Sequence, residues 1–143
     1  MTVSRILAAK GRDVVTVAPD CILQDVAHLL STKSIGAVVV CNGSDEVLGI
    51  FSERDLVHAI AERGALALQD AIAKHMTEQV VTADEQTSVP SLMQKMTSGR
   101  FRHVPVVENG RLAGLVSIGD VVKRRVEEYE AEQQALKEYI ATA

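Results

Sequence analysis

A chain of 143 residues can form one domain or two small units that share a core, and 47% hydrophobic with 24% charged residues places it among packed globular proteins. The net charge of -4 excludes a nucleic-acid binder that works through a broad basic face, and no apolar run approaches the ~20 residues of a membrane span. Cys21 and Cys41 lack the paired spacing of a zinc site and read as reduced thiols of a cytoplasmic protein.

After an N-terminal segment, Val14-Val15-Thr16 predicts a short strand. Ile22, Leu23, Val26, Leu29 and Leu30 then recur at helical spacing and predict an amphipathic helix. "AVVVC" and "EVLGIFS" read as two strands. The run Gly49 to Asp55, "GIFSERD", passes into a second helix that Gly64 closes. Residues near 65 to 79, including "LALQDAIAKHM", read as a connection.

The same order then repeats. Val80-Val81-Thr82 matches Val14-Val15-Thr16 at an offset of 66, and "GLVSIGD" matches "GIFSERD" with Gly114 over Gly49 at an offset of 65. Between them lie a helix carrying Val89, Leu92, Met93 and Met96, and the strands "HVPVVE" and "RLAGLVS" joined by the hairpin signal Asn109-Gly110. Gly36-Ala37-Val38-Val39-Val40 lies over His103-Val104-Pro105-Val106-Val107 in this alignment, and Pro105 fits best at an edge or a strand start.

Each unit of about 60 residues is marginal alone, so two should pack together. The expectation is an α+β fold of two β-α-β-β-α repeats, packed sheet to sheet as a pseudo-twofold pair, with residues 1–73 and 74–143 as the two domains. Beyond the second repeat the last helix continues. Val122, Val126, Tyr129, Gln133, Leu136 and Ile140 form a heptad seam with one polar break, which suits self-association unless the helix folds back on its own domain.

The twice-written S-x-x-D has an ordinary reading as a capping box, serine on the helix N-terminus and the acid reaching back to the serine N–H. Asp is short for that reach, where Glu or Gln is usual, so a second role for Asp55 and Asp120 is expected. No G-x-S-x-G, P-loop or G-x-G-x-x-G is present, and His28, His58 and His75 have no metal partner at helical spacing, so neither catalysis nor a metal site is expected.

The doubled V-V-T, "GAVVV" or "HVPVV", and "GIFSERD" or "GLVSIGD" resemble the tandem cystathionine-β-synthase-type (CBS) domain pairs known as Bateman modules. The resemblance covers nearly the whole chain. It implies a stand-alone bacterial-type regulatory protein, a homodimer, that binds an adenine nucleotide and signals to a downstream protein. AMP is the leading ligand, with ADP, ATP, NAD-type cofactors and S-adenosylmethionine as relatives.

By the same resemblance, each cleft joins S-x-x-D of one repeat to the threonine and strand of the other. One would combine Thr16, Ile35, Gly36 and Ala37 with Ser117 and Asp120. The other would combine Thr82, Arg102, His103 and Val104 with Ser52, Arg54 and Asp55. Each aspartate would hold the two ribose hydroxyls, and each serine would meet a phosphate at a helix N-terminus. The second cleft, which Arg100 adjoins, is the more basic and should prefer the more charged ligand; the first has only Lys33 nearby. The competing reading is a dimerising scaffold whose S-x-x-D motifs only cap helices.

Overall fold

The computed structural model describes residues 1–142. Helix α1 (Val3–Lys10) precedes the first repeat, which runs β1 (Thr16–Val17), α2 (Leu23–Lys33), β2 (Ala37–Cys41), β3 (Val47–Ser52) and α3 (Glu53–Arg63). Two 3₁₀ helices, Gly64–Gln69 and Ile72–Lys74, lead to α4 (Val89–Gly99), β4 (His103–Glu108), β5 (Arg111–Ser117) and α5 (Ile118–Thr142). The fold is α+β. In the first sheet β1 runs parallel to β2 and β2 antiparallel to β3; the second is the hairpin of β4 and β5.

The helical stripes do what their spacing requires. Leu23, Val26 and Leu30 of α2 and Val89, Leu92 and Met96 of α4 are buried, whereas Met93 turns outward. β2 is apolar throughout because every one of its residues is buried. Asn109 and Gly110 both have positive φ, 53° and 76°, as a type I′ hairpin turn demands.

The strand pairing relates the two halves by a register one residue away from the sequence alignment. Ala37 faces Ser52 and His103 faces Ser117, so Ala37, and not Gly36, is the counterpart of His103. Gly36 corresponds to Arg102: Gly36 O accepts from Glu53 N at 3.0 Å and Arg102 O from Ile118 N at 2.8 Å. The change of offset is taken up in the hairpin turns, where Asn42 to Glu46 spans from Cys41 to Val47 but only Glu108 to Arg111 from Val107 to Leu112.

The strand expected at Val80-Val81-Thr82 shrinks to a single bridge from Ala83 to Val106. Pro105 supplies the reason. In the first repeat Val39 N donates to Val15 O at 3.2 Å, and the counterpart Pro105 has no N–H to give.

Each core is completed by the segment that precedes the other repeat. Helix α1 buries Val3, Ile6 and Leu7 among Val89, Leu92, Val104, Val106 and Val116 of the second repeat. The connection buries Ala67 and Ile72 among Leu23, Val26, Val38 and Phe51 of the first. The N-terminal segment, grouped with the first repeat by a cut after residue 73, therefore packs on the second. Backbone bonds tie the exchange at both ends: Val3 N to Thr87 O at 2.9 Å and Val89 N to Met1 O at 3.0 Å, matched by Leu23 N to Asp70 O at 3.0 Å and Ile72 N to Cys21 O at 2.7 Å. Asp70, itself buried, clamps the connection by accepting from Arg63 Nε at 2.6 Å and pairing with His75 Nε2 at 2.8 Å.

This exchange explains the glycine that opens each G-x-x-S-x-x-D. A Cβ on Gly49 would lie 2.6 Å from Met76 Sδ and 2.9 Å from the Thr77 carbonyl oxygen, and one on Gly114 would lie 2.8 Å from a methyl of Leu7. Crossing segments press on both strands at these points. Gly49→Ala should cost about 1–3 kcal/mol because backbone must move, and Gly114→Ala less because a leucine side chain can rotate away. Denaturant melts of the two variants check the order.

Candidate functional site

A cavity of about 620 Å³ opens at the seam between the repeats. The first repeat gives it Gly36, Ile50, Ser52, Glu53, Arg54 and Asp55; the connection and second repeat give Thr77, Gln79, Val80, Val81 and the run Gly99 to His103. Its size falls within the ~300–1,000 Å³ typical of small-molecule sites. A backbone pair holds its floor in place, since Ile50 and Thr77 exchange N–H···O bonds of 3.0 and 2.9 Å.

Both S-x-x-D motifs form complete capping boxes. Asp55 N donates to Ser52 Oγ at 3.3 Å while Asp55 Oδ2 accepts from Ser52 N at 2.8 Å; Asp120 N donates to Ser117 Oγ at 3.2 Å while Asp120 Oδ2 accepts from Ser117 N at 2.8 Å. The expectation that aspartate falls short of this reach is corrected: extended backbone at Ser52, φ -113° and ψ 169°, brings its N–H to the carboxylate. One oxygen suffices for the cap. Oδ1 of Asp55 has no hydrogen bond among the described residues, so the box fixes the carboxylate at the cavity wall and leaves an acceptor over.

The two acids differ in what else they meet. Lys10, from the end of α1, donates to Asp120 Oδ2 at 2.6 Å and to Leu115 O at 2.7 Å. Burial alone would raise the Asp120 carboxyl, but the Lys10 ammonium and the Ser117 N–H overcome this and hold it below the usual carboxylate range. Asp55 has no such cation. The asymmetry follows from α1, whose counterpart before the second repeat is the 3₁₀ connection.

The open cavity is basic. Arg54, Arg100 and Arg102 are exposed, and none is paired with a carboxylate among the described residues. Arg100 holds a left-handed backbone, φ 56° and ψ 36°, at the end of α4, where glycine would carry less strain. Beside it Phe101 lines the cavity while packing on the second core. Burial pushes the His103 imidazole below its ordinary value, against the opposing pull of Asp120, so the ring is held neutral near pH 7.

The structure thus gathers Ser52, Arg54, Asp55, Arg102 and His103 on one cavity, and adds Gly36, which the family resemblance placed in the other cleft. Thr82 is exposed next to Val81 of the lining, and Val104 is buried in β4. The rest of the other proposed set does not line this cavity. Thr16 lines a shallow depression with Cys41, Asn42, Gly43 and Asp45, Ala37 is buried in β2, and Ile35 packs on the first core, while Ser117 and Asp120 sit under Lys10. Sequence reasoning missed Thr77, Gln79 and Phe101. The first two lie in what reads as a plain connection, and the signal for them was the glycine at 49, which demands a crossing segment.

Among the described residues no three His, Cys, Asp or Glu side chains gather as a metal site would need, and no helix is long and apolar enough to cross a membrane.

Compared with known families, the chain matches the CBS domain twice, over residues 4–62 and 70–127. It is 32% identical to a mitochondrial CBS domain-containing protein of Arabidopsis thaliana, over 97% of this chain and 71% of that one. Its fold is similar to the crystal structure of a CBS-domain containing protein from Agrobacterium tumefaciens, with a TM-score of 0.85 and 54% identity over 87% of this chain and 99% of that chain. It is also similar to a CBS domain protein of Pyrobaculum aerophilum complexed with AMP, with a TM-score of 0.75 and 27% identity over 84% of this chain and 89% of that chain. With two matched copies, a capping S-x-x-D in each and a cavity at their seam, the chain belongs to the CBS domain family as a tandem pair.

Proposed function

We propose that this CBS pair is a regulatory module that binds one adenine nucleotide per chain, AMP first among them, in the Asp55 cavity, and passes the bound state to a downstream protein as a homodimer. The observation that carries the reading is the Asp55 carboxylate, fixed by the Ser52 cap with one oxygen over, on the wall of a cavity of nucleotide size. An ionised carboxylate accepts from both ribose hydroxyls with charge-assisted strength. Arg54, Arg100 and Arg102 supply forked donors for phosphate, and Phe101, packed on the second core, adds apolar wall. The AMP bound by the Pyrobaculum relative supports the ligand class. ADP, ATP, NAD-type cofactors and S-adenosylmethionine share the ribose and are the competitors.

Binding would draw the two repeats together across the seam and favour one shape of the pair. Lys10 pairs with the second acid through Oδ2 and offsets its charge, which is why one site per chain is proposed. The cytoplasm remains the proposed compartment. The role proposed is regulatory, which the two matched CBS domains support.

The scaffold reading is favoured by one specific fact, the completed capping box in both repeats. Melting in the presence of AMP separates the two. At a hundred times its dissociation constant AMP should raise stability by ~2.7 kcal/mol, and Asp55→Asn, which keeps an acceptor for the cap, should abolish the rise while costing less than about 1 kcal/mol of stability. No shift with any adenine compound would favour the scaffold.

Arg100 yields a second test. Arg100→Gly should raise stability by about 0.5–1 kcal/mol through relief of the left-handed backbone, and should weaken AMP more than adenosine through loss of a phosphate donor. Melting and titration calorimetry together read both halves. A residue kept only for the helix end would show the first effect without the second.

A further inference from the structure

The last buried residue of α5 is Val121, and every described residue from 129 onward is exposed. The helix does not fold back on its own domain. It carries Val122, Val126, Tyr129, Leu136 and Ile140 outward, each between 48 and 65% exposed. A lone helical tail with an apolar stripe on solvent is marginal in water, so the stripe calls for a partner.

The charges beside the stripe identify that partner and its direction. In heptad terms Val126, Gln133 and Ile140 take a positions and Val122, Tyr129 and Leu136 take d positions. The flanking g positions are then Arg125, Glu132 and Tyr139, and the flanking e positions Lys123, Glu130 and Lys137. Two copies side by side in parallel register place Arg125 against Glu130 of the second copy and Glu132 against its Lys137, attractive on both sides of the seam. Gln133 meets Gln133, the polar a pair that fixes register. Turned antiparallel with the same six seam residues matched, Lys123 meets Lys137, Glu130 meets Glu130 and Glu132 meets Glu132. Each of these like-charged pairs repels. Sliding a parallel copy by one heptad buries Gln133 against Val126 and loses the register pair.

From this complementarity we infer that α5 associates with α5 of a second copy as a parallel, in-register coiled coil, which sets the two modules side by side with the same ends together. The inference rests on the proposed homodimer and specifies it. Both Asp55 cavities then move with a shared rod of about 30 Å, the length of residues 122–142 at 1.5 Å per residue.

Sedimentation of the full chain with Glu132→Lys and Lys137→Glu tests it. Each variant alone should raise the dimer dissociation constant on the order of tenfold, since two attractive pairs become repulsive, and an equimolar mixture should recover wild-type affinity because opposite charges face again. Both sites are exposed, so thermal melts should confirm an intact module. A tighter Lys137→Glu dimer, in which the introduced carboxylate faces Lys123, would overturn the parallel direction. A dimer indifferent to both variants would overturn the coiled coil while leaving the homodimer standing. A monomeric wild-type chain at all concentrations would overturn both.

Discussion

The site depends on an aspartate doing two jobs at a helix entrance. A helix N-terminus leaves N–H groups without partners, and S-x-x-D satisfies them reciprocally, each worth roughly 0.5–2 kcal/mol by cap substitution. In this chain Ser52 and Asp55 lock together by 2.8 and 3.3 Å bonds, so the carboxylate stands at the seam before any ligand arrives. Stability and recognition are therefore not rival accounts of the motif. The cap is what removes the entropy of placing the acid.

That acid faces a cavity only because the repeats are held against each other by exchange. Helix α1 sits in the core of the second repeat and the 3₁₀ connection in that of the first, so neither half can be pulled away without uncovering Ile6, Leu7 or Ile72. The exchange also breaks the symmetry it creates. The connection leaves Asp55 open beside Thr77, whereas α1 ends in Lys10, whose ammonium reaches Asp120 at 2.6 Å. Three free arginines gather on the open side.

Much of this was legible in the sequence, and the gaps have physical reasons. The doubled order of elements followed from periodicity and turn residues, and the tail stripe from its four-and-three steps. Alignment slipped by one residue at Gly36 because an apolar strand looks alike in adjacent registers, and only the pairing of Ala37 with Ser52 decides between them. The strand at Val80 was lost because Pro105 lacks a donor, an effect of a residue distant in sequence. Helix α1 carries no capping signature, Thr2 giving no side-chain cap, so its place in the other repeat's core could not be read locally. The pairing of Lys10 with Asp120 went unseen for the same reason.

The claim at the centre is that one capped aspartate is open to a nucleotide while the charge of its twin is taken up by Lys10. The stoichiometry of AMP binding to the purified chain, measured by titration calorimetry, tests it most directly. One AMP per chain is the predicted result, with a second appearing only when Lys10 is replaced by Met. Two equivalent AMP molecules per wild-type chain, or heat from neither site, would contradict it.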